Sequence, residues 1–247
     1  MMMIISSCTT TTTVRHCSDY TDVVNTSKGG MLILPPEVEV NTISATNIKT
    51  RMYDYEVYLA HLISERAAVA IEKTNLRAQI LHGKDIRDKK LYPDLKKIRH
   101  NYDENREILY RVIHLKPEDA YTISNKIDSS ATVFKEKTQS DILVFIDYLY
   151  NVKSSGAVAV SILTKALSQA FSDSRHHHYD PEENGDKVVM IIGFVQASTG
   201  KVLWTNMCVD YIPSGVNLFS SMDAKQTDIY NLDRIFAKIL KPFMASK

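Results

Sequence analysis

Three groups of side chains in this sequence could do chemistry. The densest is His176-His177-His178-Tyr179-Asp180, with Glu182, Glu183 and Asp186 close behind. Imidazoles and carboxylates together bind zinc or nickel. Adjacent histidines in an extended loop point to different sides, however, and no spaced element such as His-x-x-x-His accompanies them. The stretch reads as a solvated loop, and no metal or other cofactor is expected. The second group is a single residue, Asp147, inside the apolar run DILVFIDYLY. A carboxylate there is costly unless it is paired or lies at an edge. A strand-end hydrogen bond or an exposed position is the expectation. The third group is the cysteines Cys8, Cys17 and Cys208.

The recognised catalytic signatures are missing. There is no Gly-x-x-x-x-Gly-Lys-Ser/Thr loop, no Gly-x-Gly-x-x-Gly, no His-Glu-x-x-His, no Cys-x-x-Cys and no Gly-x-Ser-x-Gly. With eight glycines, a phosphate-cradling loop has little material. The expectation is a protein that is not an enzyme.

Cys8 has a specific context. Ile5-Ser6-Ser7-Cys8 places an aliphatic residue at −3, then two small residues, then a cysteine. That is the pattern at which bacterial lipoproteins are cleaved and acylated, and Cys8 would be the lipidated residue. Secretory signals need a basic region and an apolar region of about 7–15 residues before the cleavage site. Only Met1-Met2-Met3-Ile4-Ile5-Ser6-Ser7 precede Cys8. On this reading the true start lies upstream of Met1; otherwise the match is chance and the chain begins as written. Cys17 and Cys208 then read as free thiols, Cys208 in a buried strand.

Composition narrows the partners. The chain has 247 residues, 44% hydrophobic and 24% charged, which is ordinary for a globular domain. Thirty Lys and Arg against 29 Asp and Glu give a net charge of +1, and no case for nucleic acid. No apolar run reaches the roughly 18 residues of a membrane helix. Membrane contact would therefore come through a lipid or a partner.

The elements that must position these residues follow from hydrophobic periodicity. Residues 8–30 are rich in Thr, Ser, Asn and Asp and read as a disordered tether, with an r.m.s. span of about 25 Å. Residues 31–247 read as one domain. Strands are expected at 31–34, stopped by Pro35-Pro36, then at 76–81, 141–150, 187–196 and 201–211. The last two form a hairpin. Helices are expected at 51–74, 91–114, 117–127, 157–172 and 227–243. The order gives an α/β (α+β) domain, one mixed sheet packed with helices. Within the hairpin, Gly200 can take the left-handed conformation that residues with a Cβ avoid. Trp204 can cap the sheet beneath a helix. Tyr53, Tyr55 and Tyr58 cluster at the start of the first long helix. Tyrosine is enriched at interfaces, so this cluster is the candidate partner surface.

Three segments carry a resemblance. They are Met31-Leu32-Ile33-Leu34-Pro35-Pro36 as an opening strand, Ser140-Asp141-Ile142-Leu143-Val144 as a mid-chain strand, and Gly193 to Trp204 as a hairpin. Together they resemble bacterial envelope lipoproteins whose domain is like the amino-terminal domain of TolB, among them the curli secretion lipoprotein CsgG. The hairpin of that group carries an Asp where this chain has Gln196-Ala197-Ser198. The resemblance implies a lipid-anchored protein on the periplasmic face of the outer membrane, since Thr9 rather than aspartate follows Cys8. It implies a non-enzymatic assembly or adaptor subunit of an envelope complex, such as a secretion or transport apparatus. Partners would be other envelope proteins or further copies of the chain, as a homo- or hetero-oligomer. The alternative from another class is a soluble cytosolic enzyme or ligand-binding regulator with a pocket on the sheet.

Overall fold

The run from Ile142 to Lys153 is so apolar that it can only be a strand covered on both faces. In the computed structural model it is the longest strand among the described residues, and it lies in one mixed sheet. The structure describes residues 11–111, 126–127, 129–153, 186–212 and 222–245. These form, in chain order, β1 (Thr11–His16), α1 (Tyr20–Thr26), β2 (Met31–Ile33), β3 (Glu37–Ile43), β4 (Lys49–Arg51), α2 (Tyr53–Glu72), β5 (Ala78–Ile80), α3 (Gly83–Asp88) and α4 (Tyr92–Arg111). They continue with α5 (Ala131–Thr138), β6 (Ile142–Lys153), β7 (Asp186–Gln196), β8 (Val202–Ile212) and α6 (Met222–Ala245).

The sheet runs β1-β8-β7-β6-β2-β5, with β3 beside the second half of β6 and β4 outside β3. Each neighbouring pair in the series β6, β7, β8, β1 is antiparallel, whereas β2 and β3 run parallel to β6. Prolines cannot donate to a ladder, and Pro35-Pro36 falls between β2 and β3. Ile33 pairs with Val144 and Glu37 with Asp147, so four residues on one strand span three on the other. The prolines thus sit at a bulge, and the chain resumes pairing beyond them. One consequence matters for the site: Glu37 lands directly beside Asp147.

Alternation along the strands divides the residues between two faces. Val144, Ile146, Tyr148 and Tyr150 of β6 share a face with Val188, Met190 and Ile192 of β7 and Trp204 of β8, all buried. α2 and α6 cover this face. Leu59, Leu62, Ile63, Ala67 and Ile71 are the buried side of α2, and Leu232, Ile235, Phe236, Ile239, Leu240 and Phe243 that of α6. Trp204 packs between Phe194, stacked at 4.9 Å, and the Phe243 ring at 5.5 Å. The Asn206 amide donates to the Ile239 carbonyl at 2.7 Å, which ties α6 to β8. Phe145, Asp147, Leu149 and Asn151 lie on the opposite face, where α4 crosses. Tyr102 of α4 stacks on Phe145 at 4.1 Å. It does so in a slot left by Gly193, where a Cβ would collide with the Tyr102 ring.

The expectation of a disordered tether is corrected from residue 11 onward. Thr11 to His16 pair with Val209 to Trp204 as an edge strand. α1 then buries Tyr20 and Val24, and Tyr20 lies 6.3 Å from Phe243. Threonine is β-branched and suits a strand at least as well as a linker. The domain therefore begins by residue 11, not residue 31. The polar stretch 41–51 holds the end of β3, a tight turn and β4. Asn47 takes a left-handed φ of 59° there. The expected helices at 117–127 and 157–172 fall wholly or mostly outside the described residues.

Candidate functional site

The charged residues that the sheet brings together lie between α4 and the face bearing Asp147. Asp147 is 9% exposed, and both carboxylate oxygens are engaged. Its Oδ1 pairs with Nη2 of Arg99, and its Oδ2 lies 2.5 Å from Nη1 of Arg106. Arg99 Nε lies 3.0 Å from Glu37 and 3.6 Å from Asp103, and Arg106 is 3.5 Å from the same Asp103. Helical periodicity makes this possible, since residues three or four apart share a face. Arg99, Asp103 and Arg106 form one stripe beside the apolar stripe of Ile98 and Tyr102.

Burial is the largest influence on Arg99 and lowers its pKa, while Glu37 and Asp103 raise it again. The guanidinium stays charged, as arginine does in proteins. Burial likewise pushes the Asp103 carboxyl up, against the pull of Arg99. Glu37, Asp103 and Asp147 each place an oxygen within 4.8 Å of the others, a spacing that could hold a cation. Two guanidinium groups already supply positive charge at that point. The arrangement therefore fastens α4 to the sheet by charge, and Asp147 has no free oxygen with which to act as a base.

A cleft of about 740 Å³ opens beside this cluster. Arg106, Asp147 and Glu37 line its charged side, and Leu149, Val189 and Ile191 its apolar floor. Glu39 and Arg51 stand on its rim. Arg51 pairs with Glu56 at 2.8 Å, and Glu56 also accepts the Val40 amide at 3.0 Å. Burial raises the Glu56 carboxyl, but these two donors outweigh it and hold the group below the usual range.

The tyrosine cluster is divided by the fold. Tyr53 is 65% exposed, with the Arg51 guanidinium 5.0 Å above its ring. Tyr55 and Tyr58 are half-buried, stack at 5.6 Å and turn toward α6. The Tyr55 hydroxyl donates to Asp228 at 2.8 Å. Gly200 has φ of +70° at the tip of the β7–β8 hairpin. Its amide donates to the Gln196 carbonyl at 2.8 Å. Cys17 and Cys208 are buried free thiols, each pushed up to about 11, chiefly by burial. Cys8 and His176, His177 and His178 lie outside the described residues. Asp147 departs from its expectation, being neither exposed nor at a strand end but buried against two arginines. Arg99 closes a run of alternating charge, Lys84 to Arg99, whose pattern by itself reads as a solvated surface and hides the pairing. A carboxylate in an apolar strand calls for a cation, and Arg99 and Arg106, seven apart on the expected helix 91–114, could have been named from that requirement.

No known protein family matches the chain, and no curated protein matches it. Among solved structures, it is similar to a PelC dodecamer from Paraburkholderia phytofirmans. The two are 10% identical, with a TM-score of 0.40 over 95% of this chain and 97% of that one. A point variant of the same PelC in a second crystal form gives 10% identity and a TM-score of 0.38, over 96% and 98% of the two chains. Likeness at this level defines no family and carries no functional argument.

Proposed function

We propose that this chain is a lipid-anchored lipoprotein on the periplasmic face of the outer membrane, a non-enzymatic assembly or adaptor subunit of an envelope complex such as a secretion or transport apparatus. The observation that carries the reading is the position of Cys8. The processing-like sequence Ile5-Ser6-Ser7-Cys8 ends three residues before β1, so acylation would attach lipid almost directly to the edge of the sheet. A single acyl chain holds a protein to a membrane only reversibly, whereas several chains on one cysteine hold it firmly. The helices and sheet edges then offer surfaces for other envelope proteins or for further copies of the chain.

The test is the intact mass and membrane fractionation of the protein expressed from its native locus. A mature species beginning at Cys8, heavier by a diacylglycerol and an acyl chain and found with outer membranes, is the expected result. Its Cys8→Ser variant should be unprocessed and unlipidated. A soluble wild-type species that retains Met1 would overturn the reading. A second reading, ligand binding without a membrane anchor, is favoured by the cleft beside Asp147, whose volume falls in the range of about 300–1,000 Å³ common to small-molecule sites. A ligand that raises the melting temperature of the soluble species, but not of an Arg106→Ala variant, would support it.

A further inference from the structure

The outward side of α2 carries a row of residues that matches itself when reversed. Val57, His61, Glu65 and Val69 stand four apart, and side chains at that spacing form one ridge along a helix. All four are exposed, Val57 at 75% and Val69 at 37%. Tyr53 begins the same row one turn earlier. Among the described residues, α6 holds the neighbouring flank of α2 and leaves this ridge open. It does so through Arg66 with Asp233 at 2.6 Å and Tyr55 with Asp228 at 2.8 Å.

A lone exposed valine carries no message. The order of this row does. A two-fold axis passing beside position 63 lays two copies of α2 antiparallel. It sets Val57 against Val69 of the second copy, and His61 against Glu65, each contact occurring twice. Within one helix His61 and Glu65 already pair at 3.4 Å. Across the axis the two pairs close into a ring in which imidazoles alternate with carboxylates, and the valines flank it on both sides. The adjoining row on α2 is Ala60, Ser64 and Ala68, small side chains that leave a shallow groove for the other copy's ridge. The Ser64 hydroxyl is satisfied there, donating to the Ala60 carbonyl at 3.0 Å. Ridges of this spacing interdigitate with helix axes about 8–10 Å apart.

We propose that the Val57–His61–Glu65–Val69 ridge of α2 is a homodimer interface, and that its occupant is the same ridge of a second copy. The inference rests on the assembly reading for its setting, since it names one of the partners, and it needs no lipid on Cys8. A single helix crossing lies at the low end of interface size, below about 1,200 Å² in total, so the dimer is weak and forms as concentration rises. The valines supply the attraction, and the His61–Glu65 ring fixes the antiparallel register.

The test is sedimentation equilibrium of the full chain with Cys8→Ser, so that no acyl chain takes part, over a hundredfold range of concentration. A reversible monomer–dimer equilibrium is expected. Val57→Asp should abolish it. His61→Glu brings four carboxylates together at the axis, and Glu65→Lys removes the carboxylates that His61 meets. Each should raise the dissociation constant about tenfold or more. Mixed in equal amounts, the His61→Glu and Glu65→Lys proteins place unlike charges across the axis and should dimerise again. These positions are exposed, so unchanged melting temperatures will show that the variants fold. Tyr92→Ser removes an exposed ring on α4 and is the control, expected to leave the dimer intact. A monomer at every concentration would overturn the proposal. So would a dimer that survives Val57→Asp, an equal loss in the Tyr92 variant, or a mixture that stays monomeric. None of these outcomes depends on whether Cys8 is processed, so the dimer and the lipid anchor can fail separately.

Discussion

Asp147 shows what one residue demands of the rest of the fold. A carboxylate 9% exposed in an apolar strand is tolerated because Arg99 and Arg106 neutralise it. Removing one member of such a group leaves buried charge uncompensated, which costs about 3–5 kcal/mol. Asp147→Asn is therefore expected to lower the stability measured by chemical denaturation by about 3 kcal/mol. A change within half a kilocalorie would mean that water, not Asp147, satisfies the arginines. Asp228 has the opposite character. Burial pushes its carboxyl up to about 6 from the ordinary 3.8, against the hydrogen bond from Tyr55. The folded protein then holds this proton more tightly than the unfolded chain does. Its contribution to stability is full below the unfolded value near 4 and is lost as pH rises through about 6. Asp228→Asn should flatten that part of the stability profile, read as denaturation midpoints between those two pH values. An unchanged slope in the variant would locate the effect elsewhere.

At the scale of elements, the first segment of the domain is where composition misleads most. A Thr-rich stretch with few apolar residues satisfies the description of a linker. It also satisfies that of an edge strand, whose outer side needs no apolar partner. β8 decides between them, because it is long enough to offer Thr11 to His16 a complete register. Arg15 becomes a direct probe. It is 6% exposed, and its guanidinium lies 4.3 Å over the Tyr110 ring. Trypsin acting on the native protein should leave the Arg15 bond intact under conditions that cleave after exposed lysines. A tether would be cut there first. The hairpin at 186–212 is the reverse case. Two long apolar runs around Ser198-Thr199-Gly200 define it without help, since the turn needs the positive φ that glycine takes freely.

For the whole molecule, the difference between a tether and a strand changes the geometry that the proposed lipid anchor would have. A flexible chain of about twenty residues would let the domain wander roughly 25 Å from a bilayer. With β1 starting at Thr11, three residues from Cys8, the reach of the proposed anchor would be at most about 11 Å. Energy transfer from a donor on the domain to an acceptor in the membrane should therefore report one short distance for the acylated protein. A broad distribution extending past 25 Å would contradict it.

What the amino-acid order determines by itself is local. The apolar run of β6, the hairpin with Gly200 and Trp204, the amphipathic α2 and α6 and the break at Pro35-Pro36 are all legible, because each rests on periodicity or on the conformational limits of glycine and proline. The mixed sheet follows from their order. Contacts far apart in sequence are not legible in the same way. Glu37 meets Asp147 because a bulge at two prolines shifts the register by one residue. Arg99 reaches Asp147 because Tyr102 fits the slot at Gly193. Tyr55 turns inward because α6 places Asp228 beneath it, and Thr11 pairs because β8 overhangs. In each case the partner lies dozens of residues away or more. Only the folded chain chooses among the many partners that charge and size would allow, since strand register and helix docking are set by the packing of the whole core.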